Sequence, residues 1–62
     1  SADMERLYEH LEETLIKGGF HDPDNPRQLM TRLRRLFNRI RPDQMEISIL
    51  RGILSSINQL DN

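Results

Sequence analysis

Apolar residues along this chain fall into three blocks, each with helical spacing. In DMERLYEHLEETLIKGG, Met4, Tyr8, Leu11 and Leu15 recur at steps of four, three and four, with Leu7 beside them. That period places them on one stripe of a helix. Leu29, Leu33, Leu36 and Ile40 repeat the same steps, and Met30 and Phe37 widen the stripe on one side. The third block holds Met45, Ile49, Leu50, Ile53, Leu54, Ile57 and Leu60, with Ile47 near its edge. Its apolar arc covers nearly half the helix circumference, wider than the roughly 100° that a surface helix needs. Such a helix is either the most buried of the three or keeps apolar surface for a partner.

Punctuation between the blocks sharpens the boundaries. Ser1 or Asp3 supplies a side-chain oxygen for the free N–H groups of the first turn. Gly18-Gly19 ends the first helix, with Gly19 expected in the left-handed conformation and Phe20 packing back on Leu15 in a Schellman motif. HDPDNP, residues 21–26, reads as a loop, since two prolines and three Asp/Asn residues favour turns. Asn25 is then expected to cap the second helix, with Pro26 in its first turn. Pro42 stops that helix near Arg41. The same proline, with Asp43 and Glu46, opens the third, where acids meet the positive end of the helix dipole. The expected helices cover about 3–18, 26–41 and 43–60. No strand-like alternation or internal repeat competes, so the fold class is all-α, a small three-helix bundle. With 62 residues, the whole of 1–62 is one domain.

Charge changes the picture more than composition does. The net charge is -1, yet Arg27, Arg32, Arg34, Arg35, Arg39 and Arg41 place +6 on residues 26–41, where no acid occurs. Everything else sums to -7, and the first helix alone holds Asp3, Glu5, Glu9, Glu12 and Glu13. At 100° per residue, Arg32, Arg35 and Arg39 form one row beside the apolar stripe, and Arg27, Arg34 and Arg41 form another. Arg51, outside the apolar arc of the third helix, is able to join either. Arginine suits a phosphate surface because its planar fork donates paired hydrogen bonds and stacks on bases. The competing reading is pairing with Glu5, Glu9, Glu12, Glu13 or Glu46 inside the bundle, or a merely solvated face. The pI near 6 counts against a dedicated high-affinity nucleic-acid module. No aromatic side chain is interleaved as a stacking platform; Tyr8 and Phe37 read as core.

Little else in the sequence carries chemistry. No apolar run approaches the length of about 20 residues that spans a bilayer. The chain lacks cysteine, so no disulfide or thiolate site is available. His21, Asp22 and Asp24 can be drawn as metal ligands, but the loop offers no fourth. His10 and Glu13 are helix-surface neighbours, expected to make a salt-dependent pair. There is no G-x-S-x-G, P-loop or G-x-G-x-x-G. A bundle this small is expected to lack the pocket of about 300 Å³ that a substrate needs. Catalytic, cofactor and metal residues are therefore assigned to none of its positions. Ser48, Gly52 and Ser56 make a row of small residues, expected to admit a neighbouring helix of the bundle or a partner domain. The opening Ser-Ala-Asp, without Met, suggests a piece of something larger.

RLRRLFNRIRPDQMEISILRGILSSI resembles the C-terminal tail domain of the bacterial TrmJ-type tRNA ribose 2′-O-methyltransferases, and MERLYEHLEETLIKGGF fits the same tail. The matching elements are L-R-R-L-F from Leu33 to Phe37, R-P at Arg41 and Pro42, and I-L-R-G-I-L from Ile49 to Leu54. HDPDNP matches no element of that pattern. The resemblance implies a cytoplasmic parent enzyme with an N-terminal SPOUT domain that binds S-adenosylmethionine, dimerises, and methylates a ribose in the tRNA anticodon loop. None of those catalytic or cofactor residues lies in this chain. What the resemblance implies for the tail is help in holding tRNA. Arg34, Arg35 and Arg51 sit in the matching elements, and the helical wheel adds Arg32 and Arg39 as RNA-binding candidates. The alternative is a protein-interaction or dimerisation module packing on the catalytic domain, motivated by the wide apolar arc and the small-residue row. A helix-turn-helix DNA reader is less favoured, because the third helix offers few base-reading side chains.

Overall fold

The computed structural model describes residues 1–60. Three helices follow in order: α1 Ala2–Lys17, α2 Leu29–Ile40 and α3 Gln44–Gln59. Ser1 caps α1, its Oγ accepting from the Met4 N–H at 3.3 Å. Asp3 instead serves as a helix residue and takes Arg6 at 3.2 Å. At the other end the Schellman pattern forms as expected. Gly19 has φ +80°, its N–H bonds the Ile16 carbonyl, and the Phe20 N–H bonds the Leu15 carbonyl. The side-chain part of that expectation is corrected: Phe20 is 73% exposed. His21 folds back in its place, buried, with Nε2 at 3.2 Å from Glu12 Oε2 on α1.

The start of α2 also differs from expectation. Asn25 does not cap it, and the helix begins at Leu29 rather than at residue 26. Asp22 makes a local turn, accepting from the Asp24 N–H through Oδ1 at 2.9 Å and from the Asn25 N–H through its carbonyl. Arg27 and Gln28 then take the left-handed conformation, with φ 50° and 58°. Two such residues in succession cannot continue a right-handed helix, so the first turn is lost and Gln28 stands at the N-cap without a side-chain bond. α3 opens as expected, with a reciprocal capping box. Asp43 Oδ1 accepts the Glu46 N–H, and Glu46 Oε1 accepts the Asp43 N–H, each at 2.8 Å.

α1 is the hub. Leu7, Ile47 and Leu54 form the buried centre between α1 and α3, with Met4, Leu11 and Leu50 packed around it. Polar contacts run beside that seam. Gln44 Nε2 donates to Asp3 (3.2 Å), Arg51 Nε to His10 (2.8 Å) and Asn58 Nδ2 to Thr14 (2.9 Å). Partners advance together along both helices, so α1 and α3 run parallel. Ile47, expected at the edge of the apolar arc, is central because it packs against Leu7 of α1. The arc itself divides: Ile47, Leu50 and Leu54 face α1, whereas Met45, Ile49, Ile53, Ile57 and Leu60 are exposed.

α2 meets α1 more sparingly and diverges from α3. Tyr8, 2% exposed, carries most of that junction. Its hydroxyl donates to Asn38 Oδ1 at 2.8 Å, and its ring lies 6.5 Å from that of Phe37. The result is a flattened bundle measuring 29 × 28 × 16 Å, with one small core and two helices that keep apolar side chains at the surface. The row of Ser48, Gly52 and Ser56 does not receive a neighbouring helix within the bundle: a Cβ on Gly52 would meet nothing within 4 Å.

Candidate nucleic-acid interface

The arginines of α2 divide into two groups. Arg32, Arg35 and Arg39 are exposed and, with Leu36, line one shallow depression of ≈ 200 Å³. Among the described residues none of the three has an ion pair or side-chain hydrogen bond. Their spacing of three and four puts them on one face of α2. Side-chain entropy is the main opposition to ordering such a face. A phosphate-bearing ligand offsets it with charge-assisted bonds to each planar fork.

Arg34 faces the other way. Its Nη1 lies 2.9 Å and 3.1 Å from the two carboxylate oxygens of Glu5, and its guanidinium carbon sits 4.6 Å from the Tyr8 ring centroid. The hydrogen bond to Glu5 raises its pKa further above the ordinary arginine range, against a smaller opposing effect of burial. Arg34 is thus engaged in joining α2 to α1. Tyr8 is itself held above its ordinary pKa, chiefly by burial, with Arg34 opposing and Glu5 reinforcing. Internal pairing is thus met by Arg34, whereas Arg32, Arg35 and Arg39 stay exposed on a different face of the same helix.

Arg51 joins neither row. Its Nε donates to His10 Nδ1 at 2.8 Å, and it shares a groove with Arg6, Glu9, His10 and Glu13. His10 therefore meets Arg51 across the α1–α3 seam rather than forming the expected pair with Glu13. Acids surround Arg51, so the field there is less favourable to phosphate than at the α2 triplet. His21 is turned to Glu12, and the Asp22 carboxylate accepts from the Asp24 backbone N–H. Among the described residues no group of three possible ligands gathers to hold a metal.

A second surface feature goes with the wide apolar arc expected on the third helix. Phe37, Ile40, Pro42, Glu46, Ile49 and Leu50 line an apolar groove of ≈ 330 Å³ where α2 and α3 diverge. The expectation that the chain lacks room for about 300 Å³ fails on volume, although this is a surface groove between helices. The excess width of the α3 arc signalled free apolar surface, but not that Phe37 and Ile40 of α2 would form the other wall.

Residues 2–62 match the family described as tRNA methyltransferase TrmJ, C-terminal domain. The chain belongs to this family. It is 56% identical over 57 residues to the tRNA (cytidine/uridine-2′-O-)-methyltransferase TrmJ of Klebsiella pneumoniae subsp. pneumoniae, covering 92% of this chain and 23% of that protein. The TrmJ protein of Salmonella typhimurium is also 56% identical over 57 residues, with 92% and 24% covered. That of Pectobacterium atrosepticum is 54% identical over the same length, again covering 92% and 24%. The chain therefore spans about a quarter of the length of the curated relatives it matches. No solved structure matches it. Among the described residues no helix is long and apolar enough to cross a membrane.

Proposed function

We propose that residues 1–62 form an accessory tRNA-binding domain that holds tRNA for ribose 2′-O-methylation by a catalytic part preceding it in the parent protein. The observation that carries this reading is the Arg32–Arg35–Arg39 face, solvent-exposed and without internal partners among the described residues. The relatives named above supply the substrate class. An arginine face of this kind binds the phosphate backbone, which gives affinity and orientation but little sequence readout. Sequence and nucleotide choice then fall to the catalytic part, with the anticodon loop as the target that the family resemblance implies, in the cytoplasm.

S-adenosylmethionine, the methyl donor of such a transfer, is assigned to that preceding part. Among the described residues the Gly18-Gly19 pair ends α1 as a helix stop. Arg34 and Arg51 belong to the scaffold in this reading and support the interface by holding α2 and α3 on α1.

The test uses the full-length methyltransferase. Reversing Arg32, Arg35 and Arg39 to Glu together is expected to weaken tRNA binding by about tenfold or more, from the loss of several charge-assisted contacts. The far-ultraviolet circular dichroism should stay unchanged, because none of the three supports the fold. Unaltered affinity with intact helicity would sink the proposal.

A further inference from the structure

The geometry points to the α2–α3 groove as the seat of the catalytic part of the same polypeptide. This rests on the reading that such a part precedes residue 1. Ile40 and Ile49 on the walls are 58% and 56% exposed, and Phe37, Pro42 and Leu50 complete an apolar lining. Glu46 is the one charged wall, and its Oε1 is already engaged by the Asp43 N–H. An apolar surface of the partner therefore fits against the other lining residues, while Glu46, itself exposed, has to keep its carboxylate in water.

The position of the chain start selects the occupant. Asp3 Oδ2 accepts from Gln44 Nε2 at 3.2 Å, so the beginning of α1 lies beside the beginning of α3. Met4 shares a cleft with Phe37 and Pro42, two residues that also line the groove. Polypeptide leading into Ser1 thus emerges next to the groove. In the curated relatives about three quarters of the protein lies outside the matched region. Covalent attachment through a short linker gives an effective concentration in the millimolar range. A shallow groove suffices for a tethered partner, whereas a separate copy at micromolar concentration needs a larger buried area. Docking here would also fix the arginine face, since Arg39 adjoins Ile40 in α2, and so set where tRNA lies relative to the catalytic pocket.

The test is small-angle scattering and limited proteolysis of the full-length enzyme without tRNA, comparing wild type with Ile40→Asp/Ile49→Asp. Both side chains are exposed, so the domain should keep its helicity; Ile49→Ser alone serves as the milder variant. The expected result is a larger particle with a freely jointed profile. Cleavage ahead of residue 1 should be at least about tenfold faster, as the open form becomes populated. Unchanged scattering and cleavage in both variants would overturn the proposal. So would a concentration-dependent loss of mass by sedimentation, which would assign the groove to a second copy. Because no RNA is present, a failed arginine test leaves this result untouched, and the reverse holds as well.

Discussion

At the scale of single residues, Tyr8 links the fold to the arginine helix. Its ring receives Arg34, and its hydroxyl donates to Asn38. Tyr8→Phe removes the part-buried hydroxyl, which donates to Asn38 Oδ1 at 2.8 Å and more weakly to the Arg34 carbonyl at 3.4 Å, and keeps the ring. The expected loss is about 1 kcal/mol of stability, read as a lower midpoint in urea with an unchanged slope. The same residue gives the domain an alkaline limit. Burial holds the native Tyr8 above its ordinary 10.0, so the unfolded chain ionises first. That part of the stability is fully present below pH 10 and is lost as pH rises through the elevated native value. Tyr8→Phe should therefore flatten the fall in stability above pH 10. An equally steep fall in the variant would mean that other groups set the limit.

At the scale of elements, two glycines make opposite predictions. Gly19 has φ +80° with open space around it. Gly19→Ala meets no clash and should still destabilise by about 1 kcal/mol, because a Cβ disfavours the left-handed cap. Gly52 lies inside α3 with nothing near a would-be Cβ. Gly52→Ala should stabilise by about 0.5–1 kcal/mol through helix propensity. Thermal melting of the two variants checks both signs. If Gly52→Ala instead lowers stability in the full-length enzyme alone, another surface approaches Gly52 there.

These elements also mark what the sequence could disclose. The end of α1 and the start of α3 were legible, because Gly19, Pro42, Asp43 and Glu46 act through their own backbone neighbours. The start of α2 was not. Asn25-Pro26 has the chemistry of a cap, but the left-handed Arg27 and Gln28 belong to residue types with no preference for that conformation. The periodicity located the apolar stripe of α3 but not which half faces α1. Ile47 is central because α1 packs on that side of α3, and that is a tertiary fact. For the arginines, the wheel placed Arg32, Arg35 and Arg39 on one face, but the second row does not form, since Arg27 lies before α2 and Arg41 is its left-handed C-cap. Which row would meet Glu5 depended on the side from which α1 approached, and so Arg34 and Arg51 were grouped with residues that they do not join.

At the scale of the whole molecule, near-neutrality governs how the proposed interface should behave. A net charge of -1 gives little long-range attraction to RNA, and screening confines the field of the arginine face to about 8–10 Å at physiological salt. The face therefore acts once tRNA is already close, and it should set residence more than encounter. Replacing Arg32, Arg35 and Arg39 by Gln removes up to three phosphate contacts without adding repulsion. In the full-length enzyme the slope of log affinity against log salt should then become shallower by about 2–3. The dissociation rate should carry most of the loss, with association changed by less than about threefold. Stopped-flow binding across a salt series measures both. A large fall in association with unchanged dissociation would show these arginines acting through a field shared with the rest of the enzyme. That outcome would move the seat of tRNA contact from the α2 face to the assembly as a whole.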